Sequence, residues 1–129
     1  QLIAQAGPAP AASETAQAVA LPLLNITWRA TAIGTDPVPP GVEMTLLIES
    51  SLRAGGMGGC NSWFSQAQIG ERSFAIGDVA KTQRSCLYEG NMREQSFFEA
   101  LRASTSWRID NDTLLLLDSS SNPMVQFTR

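Results

Sequence analysis

The chain has 129 residues, 43% of them hydrophobic and 16% charged, with a net charge of −3 and a pI near 4.8. This is the sequence of one domain, with enough apolar content to bury roughly two thirds of its unfolded surface and without the basic footprint of a nucleic-acid binder. Histidine is absent, which excludes Ser-His-Asp, Cys-His and HExxH chemistry, and eight of the nine basic residues are scattered arginines, with Lys81 the only lysine.

Residues 1–22 are rich in Ala, Gln and Pro, carry Glu14 as their only charge, and read as a linker or tail. Ser13 to Ala20 also suits a short helix with Ser13 as its N-cap. Arg29 is the first basic residue, so no charged region leads an apolar stretch as in a signal peptide; the expectation is a leader removed before Gln1, with a membrane tether through it. No apolar run approaches the roughly 20 residues needed to cross a bilayer.

From Ile26 to Ile33 the residues alternate, Ile26, Trp28, Ala30 and Ala32 on one face, as in a half-buried strand. Asp36 to Gly41 holds three prolines and is predicted to be a loop. Glu43 to Glu49 reads as a strand with Met44, Leu46 and Ile48 inward, and another starts near Leu52 and runs into the glycines of GGMGGCNSWF, residues 55–64. That run predicts a sharp bend or bulge where two strands approach closely. Trp63, Phe64, Ala67 and Ile69 belong to the strand after it, and Ser73 to Val79 to its hairpin partner, with Phe74 and Ile76 on one face.

One helix is predicted, from about Met92 to Ala103. Asn91 suits the N-cap, Glu94 the third position of a capping box, and Phe97, Phe98 and Leu101 form one buried stripe. Trp107 and Ile109, then Leu114 to Leu117, then Val125 and Phe127 mark three closing strands, with turns at Asp110-Asn111-Asp112 and at residues 118–123. Short connections throughout imply an antiparallel meander.

Gly56, Gly59, Cys60 and Asn61 in the spacing GxxGCN, Thr82 and Cys86 in the spacing TxxxC, then Glu94, Phe97 and Leu101, over about residues 26–129, resemble the META/HslJ-like domain family. Ser65 and Ala67 stand where that family more often has glycine and an aromatic residue. The resemblance implies a mostly β (α+β) fold, a small, partly open antiparallel β-barrel with one packed α-helix, forming a domain over residues 23–129. It also implies association with the bacterial envelope, a stress-response or envelope-integrity role, and no catalytic residues or cofactors.

The two cysteines form an even count without metal-type spacing, which suits an oxidising compartment such as a periplasm, and a Cys60–Cys86 disulfide is expected. A reactive thiol stays open as a reading, with Arg84 near Cys86. Lys81 invites a Ser-Lys arrangement but reads more simply as a solvated strand-end charge. Asp110, Asp112 and Asp118 offer hard oxygen ligands but miss the EF-hand spacing, and Asx turns account for them. The glycine run lacks the Lys-Ser/Thr ending of a phosphate-binding loop. Trp63, Phe64, Trp107 and Phe127 are candidates for an apolar cleft at the barrel mouth. The functional expectation is a non-catalytic envelope domain, periplasmic or outer-membrane-associated, that binds a hydrophobic ligand or an envelope protein. The alternative is a histidine-free enzyme using Cys60, Cys86 or Lys81.

Overall fold

The computed structural model describes residues 21–84, 86 and 88–129. The linker expected over residues 1–22, with its short helix, lies outside the described residues except for Leu21 and Pro22. Leu21 packs against the core, and Leu23 is fully buried.

The strands are β1 (Trp28–Ile33), β2 (Asp36–Pro37), β3 (Thr45–Ile48), β4 (Arg53–Met57), β5 (Ser62–Ile69), β6 (Phe74–Ile76) and β7 (Ala80–Lys81). After these come the helix α1 (Tyr88–Ala103) and β8 (Ser106–Asp110), β9 (Thr113–Leu117) and β10 (Pro123–Thr128). All pairings are antiparallel, in the order β6-β5-β4-β3-β1-β10-β9-β8, with β2 on β1 and β7 on β5. The sheet curls until its two ends nearly meet. Phe74 donates its N–H to the Thr105 carbonyl and Trp107 donates to that of Arg72, both at 3.0 Å, and Ser73 bridges Ser106. The result is the expected small barrel, nearly closed, with α1 packed across the opening that remains.

Alternation decides what fills it. Trp28 and Ala30, Met44, Leu46 and Ile48, Trp63 and Ala67, and Val125 and Phe127 all point inward and are buried. Full burial of each large apolar side chain stabilises by roughly 1.5–3 kcal/mol. Trp28 satisfies its one polar atom within this core, its Nε1–H donating to the Leu23 carbonyl at 3.0 Å.

Four local expectations change. The proline loop begins as β2, a two-residue strand pairing only with β1 among the described residues, so that Pro37 lies on an edge strand, where proline is tolerated. The bend occupies only the second half of the glycine run: β4 continues through Gly55 and Gly56, opposite Phe64 and Trp63, and the turn follows at residues 58–61 with Gly58 and Gly59. Gly56 is nonetheless where strands crowd, since a Cβ there would run into the Thr45 carbonyl. The strand expected over Ser73–Val79 is confined to β6 and ends at Ile76; Gly77 follows it, and β7 comes only after Val79. Finally, α1 starts at Tyr88, so Asn91 lies inside the helix rather than capping it, and its Nδ2 donates back to the Cys86 carbonyl at 3.4 Å.

Candidate functional site: a polar clasp and the groove beside it

Asn61 follows the turn between β4 and β5 and is buried. Its main-chain N–H donates to Glu94 Oε2 at 2.7 Å, and its Nδ2 donates to Glu94 Oε1 at 2.9 Å. Its own Oδ1 accepts from Thr82 Oγ1 at 2.8 Å and from the Arg84 N–H at 2.7 Å. Lys81 Nζ completes the shell of Glu94 at 3.1 Å. One asparagine thus joins the hairpin, the segment after β7 and the helix.

Glu94 is fully buried on the face of α1 that also carries Phe97 and Leu101, three and seven residues on, and all three point into the barrel. It is not the capping-box residue that its distance from Asn91 suggests. Burial pushes its pKa up most strongly, but the side-chain and main-chain hydrogen bonds from Asn61, the hydrogen bond from Lys81 and the Lys81 charge outweigh it, and the pKa falls below the ordinary glutamate value.

The glycines and cysteines of the motif serve the same junction. A Cβ on Gly58 would lie 2.9 Å from both Glu94 Oε2 and Phe98 Cζ, so only glycine lets the hairpin tip approach the helix this closely. Gly59 turns the chain with a φ of 96°. Cys60 and Cys86 are joined by a disulfide, with Cα atoms 6.3 Å apart. Of the residues grouped from the sequence, the structure brings Gly59, Cys60, Asn61, Thr82, Cys86 and Glu94 into this clasp. Phe97 and Leu101 lie on the helix face beneath it, and Gly56 lies in β4, two residues before Gly58. The Asn61–Glu94 pairing was not read from the sequence; its signal was an acid in register with the apolar stripe of the helix.

The four aromatic residues proposed for a cleft do not share one; of them, Phe64 borders a shallow hollow of about 240 Å³ beside Leu47, Gly55 and Gly56. Trp63 and Phe127 belong to the core, each edge-on to Phe97 at centroid distances of 6.1 and 6.3 Å. Phe64 is one residue from Trp63 on a strand and therefore points to the opposite, outer face, where it is 58% exposed. Trp107 is half-buried at the seam, its Nε1–H donating to the Gly70 carbonyl at 3.0 Å.

A larger concavity lies elsewhere. A groove of about 540 Å³ runs between residues Asp78, Val79 and Lys81 and the α1 face bearing Asn91, Gln95, Phe98 and Arg102. Phe98 is half-buried at its floor, in contact with Trp63 at 5.9 Å between ring centroids, and Lys81 Nζ sits 5.8 Å from its ring centre. The aspartates do something simpler. Asp118 Oδ1 accepts the N–H groups of Asn122 and Ser120 at 2.9 and 2.8 Å, which lowers its pKa, and Asp112 pairs with Arg129 at 3.2 Å. Among the described residues, no group of three Asp, Glu or Cys side chains is placed to hold a metal ion, and no helix is long and apolar enough to cross a membrane.

Solved structures with this shape are similar only in fold. One determined by NMR has a TM-score of 0.67 at 13% identity, covering 84% of this chain and 92% of its own. An NMR structure of a protein from Burkholderia xenovorans has a TM-score of 0.65 at 19% identity, covering 100% and 93%. The crystal structure of a DUF4847 family protein from Bacteroides vulgatus ATCC 8482 has a TM-score of 0.59 at 17% identity, covering 82% and 93%. No curated protein matches the chain. The family model described as META domain matches residues 21–129, the span that holds the barrel, the helix and the whole clasp, and the chain belongs to the META domain family.

Proposed function

We infer that the chain is a non-catalytic, exported domain of the bacterial envelope that binds an apolar partner, a protein segment or an acyl chain, on its surface. The observation that carries this reading is the groove between β7 and α1, where Val79 and Phe98 leave apolar surface open while the barrel interior is filled by side chains. Family membership and the Cys60–Cys86 disulfide are compatible with an exported protein, since such bonds persist in oxidising compartments. The groups with reactive chemistry are engaged with one another: the cysteines are joined, and Lys81 holds Glu94. The stress-response or envelope-integrity role implied by the family resemblance fits a domain that works by holding a partner.

Two measurements test this. Thiol titration of the native protein is expected to find no free cysteine, and a fluorescent fatty acid or an apolar peptide is expected to bind saturably, at least tenfold more weakly when Gln95→Trp fills the groove. Rapid modification of one cysteine, with no saturable binding of either probe, would replace this reading with the enzyme that uses Cys60, Cys86 or Lys81.

A further inference from the structure

One wall of the groove is a strand edge with no strand beside it. Among the described residues, β7 pairs only with β5, Lys81 standing opposite Trp63 and Ala80 opposite Phe64. Thr82 donates its N–H to the Ser62 carbonyl at 3.1 Å. Consecutive residues of an antiparallel strand turn their main-chain polar groups alternately toward and away from the partner. Thr82 and Ala80 therefore face β5, and the N–H and C=O of Lys81 face the other way, into the groove. The second wall is a single stripe of α1, with Asn91, Gln95, Phe98 and Arg102 three or four residues apart. A strand edge flanked by a helix face is the arrangement in which an extended peptide joins a sheet, its main chain bonding to the edge and its side chains lying on the helix.

Charge decides which peptide. Lys81 is held by Glu94 at 3.1 Å, Arg102 by Asp78 at 3.5 Å, and Glu99 accepts from Gln95 at 3.1 Å. The charges that line the groove, Asp78 and Glu99 against Lys81 and Arg102, sum to zero, and the surface they leave is that of Val79 and Phe98. An uncharged segment with apolar side chains complements a groove whose lining carries no net charge and whose open surface is apolar. An acyl chain would cover the Lys81 main chain without hydrogen-bonding to it, at the cost of stripping those groups of water.

We propose that this groove binds an uncharged, extended segment of another protein by strand addition to Lys81, with an apolar side chain of the segment seated on Phe98. The proposal rests on the surface-binding reading above and adds the mode of binding and the chemistry of the occupant.

Random dodecapeptides displayed on phage are selected on the full chain, and a selected peptide is resynthesised unmodified and with alternate main-chain nitrogens methylated in each of two registers. The expected peptides are uncharged, with apolar residues at alternate positions. One methylated register is expected to bind at least tenfold more weakly than the unmodified peptide, and the Lys81 amide to gain at least tenfold protection from hydrogen exchange in the complex. Phe98→Asp, and separately the exposed-site variant Gln95→Trp, should each weaken binding at least tenfold. Peptides lost with Gln95→Trp but indifferent to methylation in both registers, with Lys81 unprotected, would overturn strand addition and leave the surface-binding reading standing. Peptides indifferent to Gln95→Trp, or saturation of the groove by the fatty acid alone, would also overturn it, and binding of neither probe would remove both readings.

Discussion

Glu94 and Asn61 are bound to each other twice: the carboxylate takes the main-chain N–H at 2.7 Å through one oxygen and the side-chain amide at 2.9 Å through the other. The pair is buried, and each partner is the main reason the other can be. Removing the Glu94 carboxylate leaves the buried Asn61 amide and N–H without their acceptor, the circumstance in which a hydrogen bond is worth most. Asn61→Ala removes the Nδ2 bond to Glu94 and the acceptor of Thr82 and Arg84 but keeps the main-chain bond, and should destabilise by about 1.5–3 kcal/mol, the scale of a hydrogen bond to a charged group. Asn61→Asp keeps the shape but sets a second carboxylate against Glu94, and should cost at least as much at neutral pH while recovering part of the loss on acidification. Urea unfolding curves measure both, and an Asn61→Ala loss within about 0.5 kcal/mol, the scale of an ordinary surface substitution, would show that the clasp does not hold the fold.

Acid should loosen the same clasp. The pKa of Glu94 is held below the ordinary glutamate value of about 4.3, so the folded state binds this proton less readily than the unfolded state does. Its contribution is present in full above that value and is lost as pH falls from there through the lower folded-state pKa. Asp118 acts in the same direction from an exposed turn. Glu94→Gln should lower Tm at pH 7 and flatten its dependence on pH below about 4.3. A variant whose Tm falls with acid as steeply as that of the parent would exclude Glu94 as a source of that dependence.

The disulfide spans 26 residues, and the chain-entropy model assigns a loop of that size roughly 3 to 4 kcal/mol. Replacing both cysteines by serine should lower Tm by several degrees per kcal/mol lost. The barrel should still form, because Asn61 continues to hold Thr82 and Arg84 through hydrogen bonds. Calorimetry with and without a reducing dithiol reads the first effect, and near-ultraviolet circular dichroism of the reduced protein reads the second. An unchanged Tm, or a reduced chain without tertiary signal, would contradict one or the other.

Two glycines should behave oppositely. Gly56→Ala drives a methyl group into the Thr45 main chain, which has no side-chain freedom to yield, and overpacking of this kind typically costs about 1–3 kcal/mol. A Cβ at Gly77 would meet only the Gln66 carbonyl, at an ordinary 3.8 Å, and Gly77→Ala should stay within about 0.5 kcal/mol of the parent. Equal effects would mean that close packing of β4 on β3 is not what requires glycine at residue 56.

The legible parts of the fold were those where a local pattern and the tertiary environment agree. Trp28 and Ala30, or Val125 and Phe127, alternate along strands that bury one face, and period two is enough to find them. Where the misreadings fell, a residue was claimed by a distant partner. Asn91 and Glu94 have the spacing of a capping box, but Asn61 takes the carboxylate from the other side, and the helix starts a turn earlier. Glycines carry no hydrophobic signal, so the strand read from Leu52 onward could be followed through Gly55 and Gly56 only by the ladders it makes with β3 and β5. The four aromatics were grouped by size, whereas Phe64 and Trp63 are separated by the pleat of a single strand. The clasp was half legible: its residues were grouped by resemblance, while the bond between Asn61 and Glu94 depends on a contact between residues 33 positions apart.

β1 lies between β3 and β10, and Thr31 reaches across that last seam to the Gln126 carbonyl, 95 residues further along the chain. The first strand of the barrel waits for the last one. Pairing at such separation requires closing a very long loop before any bond rewards it, which places this domain among slowly folding β topologies. A chain still being delivered from its N-terminus has β1 without its outer neighbour until the final residues arrive. The pairing of β1 with β10 is thus the step that completes the sheet, whatever the order in which the other strands find their neighbours.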